Sequence, residues 1–193
     1  MPRLIVVLVL SFAGALLSGC AAVVVGGAAA TVAVAHDRRT MGTFVEDQNI
    51  YFKAVGIRQG NADISEQANI EVTVYNLQVL LTGQAASDAV SRRFANLVAQ
   101  IPNVRKVYNE VQTAAEATWT DAADDMYLTS KVKLALFDVD IEDFDPTRVQ
   151  VTTSQDTVYL MGLLTRGEAQ AVTDQVRYLS GVQRVVTLFE YLP

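Results

Sequence analysis

The sequence predicts an α+β protein in which one α-β-β-α-β unit occurs twice behind an apolar leader. Three observations lead there. The stretch Val72-Thr73-Val74-Tyr75-Asn76-Leu77-Gln78-Val79-Leu80-Leu81-Thr82-Gly83 returns as Val151 to Gly162 at a constant offset of 79. The flanking apolar positions also return, at an offset of 78: Ile50, Ala54 and Ile57 match Leu128, Val132 and Ala135, and Ile101, Val104 and Val107 match Leu179, Val182 and Val185. One residue is gained before the paired strands and lost after them, in expected loops where such changes are tolerated. Within each copy the apolar period changes from helical to β and back. A unit of about 70 residues is near the lower limit for an independent core, so the two copies are expected to be packed or tethered together.

Residues 1–19 read as a signal peptide. Arg3 is its only charge, and Leu4 to Leu17 form an apolar run. That run is shorter than the roughly 20 residues of a membrane span. It ends in Leu17-Ser18-Gly19-Cys20, which resembles the bacterial lipobox. The resemblance implies diacylglycerol on the Cys20 sulfur, cleavage before it, and acylation (palmitate) of the new N-terminus. An ordinary signal peptide with a chance cysteine is the alternative. Cys20 is the only cysteine, which excludes an intramolecular disulfide and a multi-thiolate metal site. Lipidation would also remove a free thiol from an oxidising compartment.

Residues 20–43 read as a lipidated tether. Ala21 to Ala35 are apolar but number only 15, again below a membrane span, with a second short span as the minor alternative. The lipoprotein resemblance also implies outer-membrane sorting, because Ala21 rather than Asp follows Cys20. As a flexible coil, the tether reaches roughly 25–30 Å. Either repeat could then touch the anchoring membrane at a local concentration on the order of millimolar.

The first unit is placed at 44–113 and the second at 114–193. Apolar spacing of i, i+4, i+7 predicts helices over about 46–58 and 122–137. Two β-branched runs around a polar turn predict hairpins over 69–75 with 78–83, and 148–154 with 157–162. Their turns centre on Asn76 and on Gln155-Asp156, and Gly83 and Gly162 close them. Second helices follow over about 87–100 and 166–179, stopped by Pro102-Asn103 and Ser180-Gly181. Final strands are expected over 104–112 and 182–190. Two helices covering one face of a three-stranded sheet is the natural layering.

This order, a hairpin ending in Gly and the later Gly181-Val182-Gln183-Arg184-Val185 resemble the BON domain. The first copy has Asn103 where that motif has Gly, in Pro102-Asn103-Val104-Arg105-Lys106-Val107, and continues as Tyr108-Asn109-Glu110-Val111. Two BON units behind a lipobox resemble the dual-BON lipoproteins of the outer membrane. That resemblance implies a protein anchored by its acyl chains and facing the periplasm. It further implies a role in envelope integrity, with enrichment at cell-division sites.

Chemistry is largely excluded. There is no Gly-x-Ser-x-Gly, P-loop or Gly-x-Gly-x-x-Gly, and the only histidine, His36, falls in the tether. Neither catalytic residues nor a cofactor are expected. The acidic run Asp138-Val139-Asp140-Ile141-Glu142-Asp143-Phe144-Asp145 offers oxygen ligands but fails the EF-hand pattern: Asp143 holds the Gly place and Val149 the Glu place. No metal site is assigned. Glu66 with Glu71, and Asp124 with Asp125, read as surface charge. A formal net charge of −6 disfavours nucleic acid as a partner.

Function is therefore expected on an exposed face. In the first helix of the second unit, Leu128, Val132, Ala135 and Leu136 take the core side. Tyr127, Lys131 and Leu134 share a neighbouring face, bordered by Met126 and Ser130. An aromatic, a lysine and aliphatics on one stripe suit a bilayer interface. The dual-BON resemblance implies anionic phospholipid binding by this helix, with Tyr127 at the place of an aromatic. The alternative is that Tyr127 and Leu134 pack against the first unit. Charge pulls against the lipid reading: residues 116–193 carry thirteen acids and six Lys/Arg, whereas 44–113 carry seven and six. Beyond roughly 8–10 Å this repulsion is screened. The rival partner is an envelope protein, with the chain acting as an adaptor for a peptidoglycan-remodelling or other envelope complex.

Overall fold

A computed structural model describes residues 37–113 and 119–192. The leader, Cys20, the tether through His36 and the junction 114–118 lie outside the described residues. From Arg38 onward the chain forms one compact unit holding both repeats.

The first copy contains α1 (Met41–Gly60), α2 (Ala62–Ser65), β1 (Ala68–Tyr75), β2 (Gln78–Ala85), α3 (Asp88–Ala99), β3 (Lys106–Asn109) and β4 (Gln112–Thr113). The second contains α4 (Trp119–Ala135), β5 (Val149–Ser154), β6 (Thr157–Leu164), α5 (Arg166–Arg177) and β7 (Arg184–Tyr191), with 3-10 turns at Leu136–Asp138 and Pro146–Arg148. Each sheet has the β-hairpin strand at its centre: β1-β2-β3 and β5-β6-β7, the first pair antiparallel and the second parallel. A parallel neighbour needs a crossover, which α3 and α5 supply. Ile50 and Ala54 of α1 join Ile70, Leu81, Phe94 and Val98 in one core. Leu128 and Val132 of α4 join Val151, Leu160, Val172 and Val176 in the other.

Both hairpins turn on two residues of left-handed backbone, Asn76 and Leu77 (φ 51° and 64°), and Gln155 and Asp156 (φ 49° and 56°). No glycine relieves these turns. Instead, an aspartate on the preceding helix holds each one, Asp47 buried and Asp125 half-buried. Asp47 accepts from the Asn76 and Leu77 amides at 2.8 and 2.7 Å. Asp125, one repeat later, accepts from the Gln155 and Asp156 amides at 3.0 and 3.4 Å. The surface-charge reading of Asp125 is thus corrected: it is a turn anchor. Asn103 in place of glycine is also explained, since Asn103 and Gly181 are both left-handed (φ 69° and 98°), a conformation Asn tolerates.

Three boundaries differ from expectation. Helix α1 starts at Met41, because Thr40 caps it by accepting from the Thr43 amide at 3.1 Å. The chain is bound even earlier. Arg38 grips Glu168 of the second copy at 2.6 and 2.9 Å and donates to the Leu163 carbonyl, while Arg39 pairs with Asp47 at 2.8 Å. Folded structure therefore begins inside the expected 20–43 tether. Burial opposes ionisation of Glu168, but hydrogen bonds from Arg38 and Thr165 outweigh it and hold the carboxyl at about 2. The last strand of the first copy is split into β3 and β4. Opposite the gap, Gly83 has φ +101° and turns β2 aside, whereas Gly162 has no such twist and β7 runs unbroken. A Cβ on Gly83 would collide with the Asn69 carbonyl oxygen.

The two sheets pack face to face. Tyr75 and Leu80 meet Tyr159 and Met161 in a third buried cluster, joined by Tyr108, Leu163, Val186 and Leu188. The hydroxyls of Thr73 and Thr152, equivalent residues of the two copies, lie 3.0 Å apart. Tyr75 donates its hydroxyl to the Arg148 carbonyl at 3.3 Å. Arg105 pairs with Glu190 at 2.7 Å on the rim. Each sheet is thereby covered on both faces, by its own helices and by the other copy.

Candidate functional site

Helix α4 is two-sided. Leu128, Val132 and Ala135 are buried, and Leu136 continues that side into the 3-10 turn. On the other side Met126, Tyr127, Leu134 and Phe137 are 69–72% exposed. At 3.6 residues per turn, Tyr127, Ser130 and Leu134 fall within roughly 60° of arc. Met126 widens the strip and Phe137 extends it past the helix end. Tyr127 and Leu134 therefore face solvent and do not pack against the first copy.

The polar members behave differently from one another. Ser130 donates its hydroxyl back to the Met126 carbonyl at 3.0 Å, which satisfies it within the helix. Lys131 reaches across to the Ser180 carbonyl at 2.6 Å. An ammonium has three donors, so two remain for another acceptor. Lys133 stands exposed on the far flank of the strip. Two residues escaped the sequence reading. Phe137 carries a usable signal, being three residues after Leu134. Lys133 has none, because its flank depends on how α4 sits on β5.

The acidic run begins directly after Phe137, with Asp138, Asp140, Glu142 and Asp143 exposed. Asp145 is half-buried and accepts from the Thr147 amide at 2.9 Å. Among the described residues no three His, Cys, Asp or Glu side chains converge to hold a metal ion. Among the same residues, no helix is long and apolar enough to cross a membrane.

The BON domain model matches residues 59–115 and 124–193. The chain belongs to the BON-domain family. It is 34% identical over 176 residues to the outer membrane lipoprotein DolP of Haemophilus influenzae, covering 91% of this chain and 90% of that one. It is also 30% identical to a 21 kDa hemolysin of Actinobacillus pleuropneumoniae, covering 81% and 79%. The BON pair is thus of the DolP type, that of an outer-membrane lipoprotein. Among solved structures, a chain of CdsD, a structural protein of the type III secretion system of Chlamydia trachomatis, is 13% identical, with a TM-score of 0.30, covering 68% of this chain and 91% of that solved chain.

Proposed function

We propose that this BON protein is a non-catalytic, lipid-anchored component of the outer membrane that faces the periplasm. Through α4 of its second BON domain it contacts anionic phospholipid, and by doing so it supports envelope integrity, including at division sites. The observation that carries this reading is the strip of Met126, Tyr127, Leu134 and Phe137, left in water beside Lys131 and Lys133. Fully burying one such side chain contributes about 1.5–3 kcal/mol, and insertion at an interface captures part of that. Tyr127 suits the headgroup level, where an aromatic ring can keep its hydroxyl wet. The acyl anchor expected on Cys20 supplies the attachment, so the strip needs only weak affinity.

Acidic charge opposes long-range approach, but the lysines act within the screening length. Binding should therefore need anionic lipid and weaken with salt. Vesicle co-sedimentation of residues 37–193 tests this. Phosphatidylglycerol-containing vesicles should bring the protein down, zwitterionic ones should not, and Tyr127→Ala and Lys131→Ala should each reduce the bound fraction. No binding at low salt and high lipid would leave the anchor as the only membrane contact.

The adaptor reading has one observation of its own. β1 and β5 each lie at an edge of their sheets, where a partner strand could add. It predicts that Tyr127→Ala leaves vesicle binding unchanged, while an envelope protein is captured through a sheet edge.

A further inference from the structure

A cleft of about 510 Å³ opens between the two copies, bounded by β1 and β2 on one side and by α4 and β5 on the other. That is within the usual size range of small-ligand sites. Its lining is unusual in one respect. Five buried side-chain oxygens among the described residues have no hydrogen-bond partner, and three of them line this cleft: Gln84 Oε1, Thr153 Oγ1 and Gln155 Oε1. Gln84 and Thr153 are only 4% and 6% exposed. Buried polar atoms are nearly always paired, so such a cluster asks for an occupant.

The chemistry of that occupant follows from what is unmet. The two glutamine oxygens accept, the Thr153 hydroxyl can donate or accept, and the nearby carboxylates of Glu71 and Asp125 are acceptors. Lys133 is the one cation on the lining. A free anion would meet two acids, while an apolar ligand would leave every acceptor unpaired. A ligand bearing several neighbouring hydroxyls matches best, because each hydroxyl donates to one oxygen while accepting elsewhere. Desolvation, then the neighbouring charge of Asp125, push the Glu71 carboxyl up.

We propose that this cleft binds a polyol, either a saccharide or the glycerol headgroup of a lipid, through Gln84, Thr153 and Gln155. The site is separate from the α4 strip in its deciding residues, although Met126 and Ser130 border both.

The test is NMR titration of the full mature chain in a phosphocholine detergent, which carries no sugar. One arm adds the β-1,4-linked disaccharide of N-acetylglucosamine, the other glycerophosphoglycerol. Saturable shifts at Gln84, Thr153 and Gln155 with either probe support the proposal, and the probe that binds identifies the source. Thr153→Val removes an oxygen that has no partner in the fold, so melting should hold or rise while the probe binds roughly tenfold more weakly. Gln84→Met is the second variant, with the same loss expected. Phe137→Glu, which targets the strip, should leave probe binding unchanged. No shift with either probe at high millimolar concentration overturns the proposal and leaves the cleft to water. Unaltered binding in both Thr153→Val and Gln84→Met overturns it as well.

Discussion

The two BON copies share a buried plan and differ on the surface of one helix. Stepping by 78 residues, Ile50 and Leu128 hold the same core place, Asp47 and Asp125 anchor the same turn, and Lys53 matches Lys131. The outward places diverge. Gln48, Asn49, Gly56 and Gln59 in α1 stand where α4 and its 3-10 turn carry Met126, Tyr127, Leu134 and Phe137. The first copy exposes apolar residues at other places of α1, namely Met41, Val45, Tyr51 and Phe52, the last against Ser130 in the second. Core positions are constrained by packing, whereas an exposed apolar residue gains nothing from the fold that displays it. The two helices therefore display different apolar strips, and only that of α4 and its 3-10 turn holds Met126, Tyr127, Leu134 and Phe137, the residues of the proposed lipid contact.

The shared plan is broken most severely at the sheet-to-sheet cluster. Tyr159→Ala should cost about 3–5 kcal/mol and Leu80→Ala, its equivalent in the first copy, about 2–5 kcal/mol. In urea unfolding both should separate one transition into two, since the copies support each other through this face. The turn anchors come next. Asp47→Ala should cost about 2–3 kcal/mol, because it leaves two turn amides unpaired and removes the ion pair with Arg39. Asp125→Ala should cost less, about 1–2 kcal/mol, since its bonds are longer and it is less buried. Thermal melts of the two variants would sharpen how equal the copies are.

Glu168 makes the comparison sensitive to acid, because only the second copy holds the Arg38 clasp. Its carboxyl is depressed from an ordinary 4.5 to about 2. The clasp's stabilisation is therefore fully present above the unfolded value and is lost as pH falls toward 2. Glu168→Gln should lower stability by about 1.5–3 kcal/mol at neutral pH and flatten the acid limb of the stability curve. The smallest effect on stability is expected at the strip: Leu134→Glu should stay within about 0.5 kcal/mol of the parent. Its consequence should appear in vesicle binding instead.

Much of this was legible in the residues. The repeat, the hairpins and the helix order follow from apolar period and offset, and Tyr127 with Leu134 follows from helical spacing. The packing of one sheet on the other was less legible, although unbroken apolar runs such as Val158-Tyr159-Leu160-Met161 are what a strand buried on both faces looks like. Asp125 could not be told from surface charge, because its partners are backbone amides 30 and 31 residues away. The Arg38 clasp spans 130 residues and has no local signature at all.

The divergence of the two helices gives the most direct test. Phe137→Glu and Gln59→Glu place the same charge at equivalent positions of the second and first copies. Co-sedimentation with phosphatidylglycerol-containing vesicles should fall about tenfold in affinity for Phe137→Glu and stay near the parent value for Gln59→Glu. Equal binding by both variants, or equal loss in both, would contradict a membrane contact made by the second copy alone.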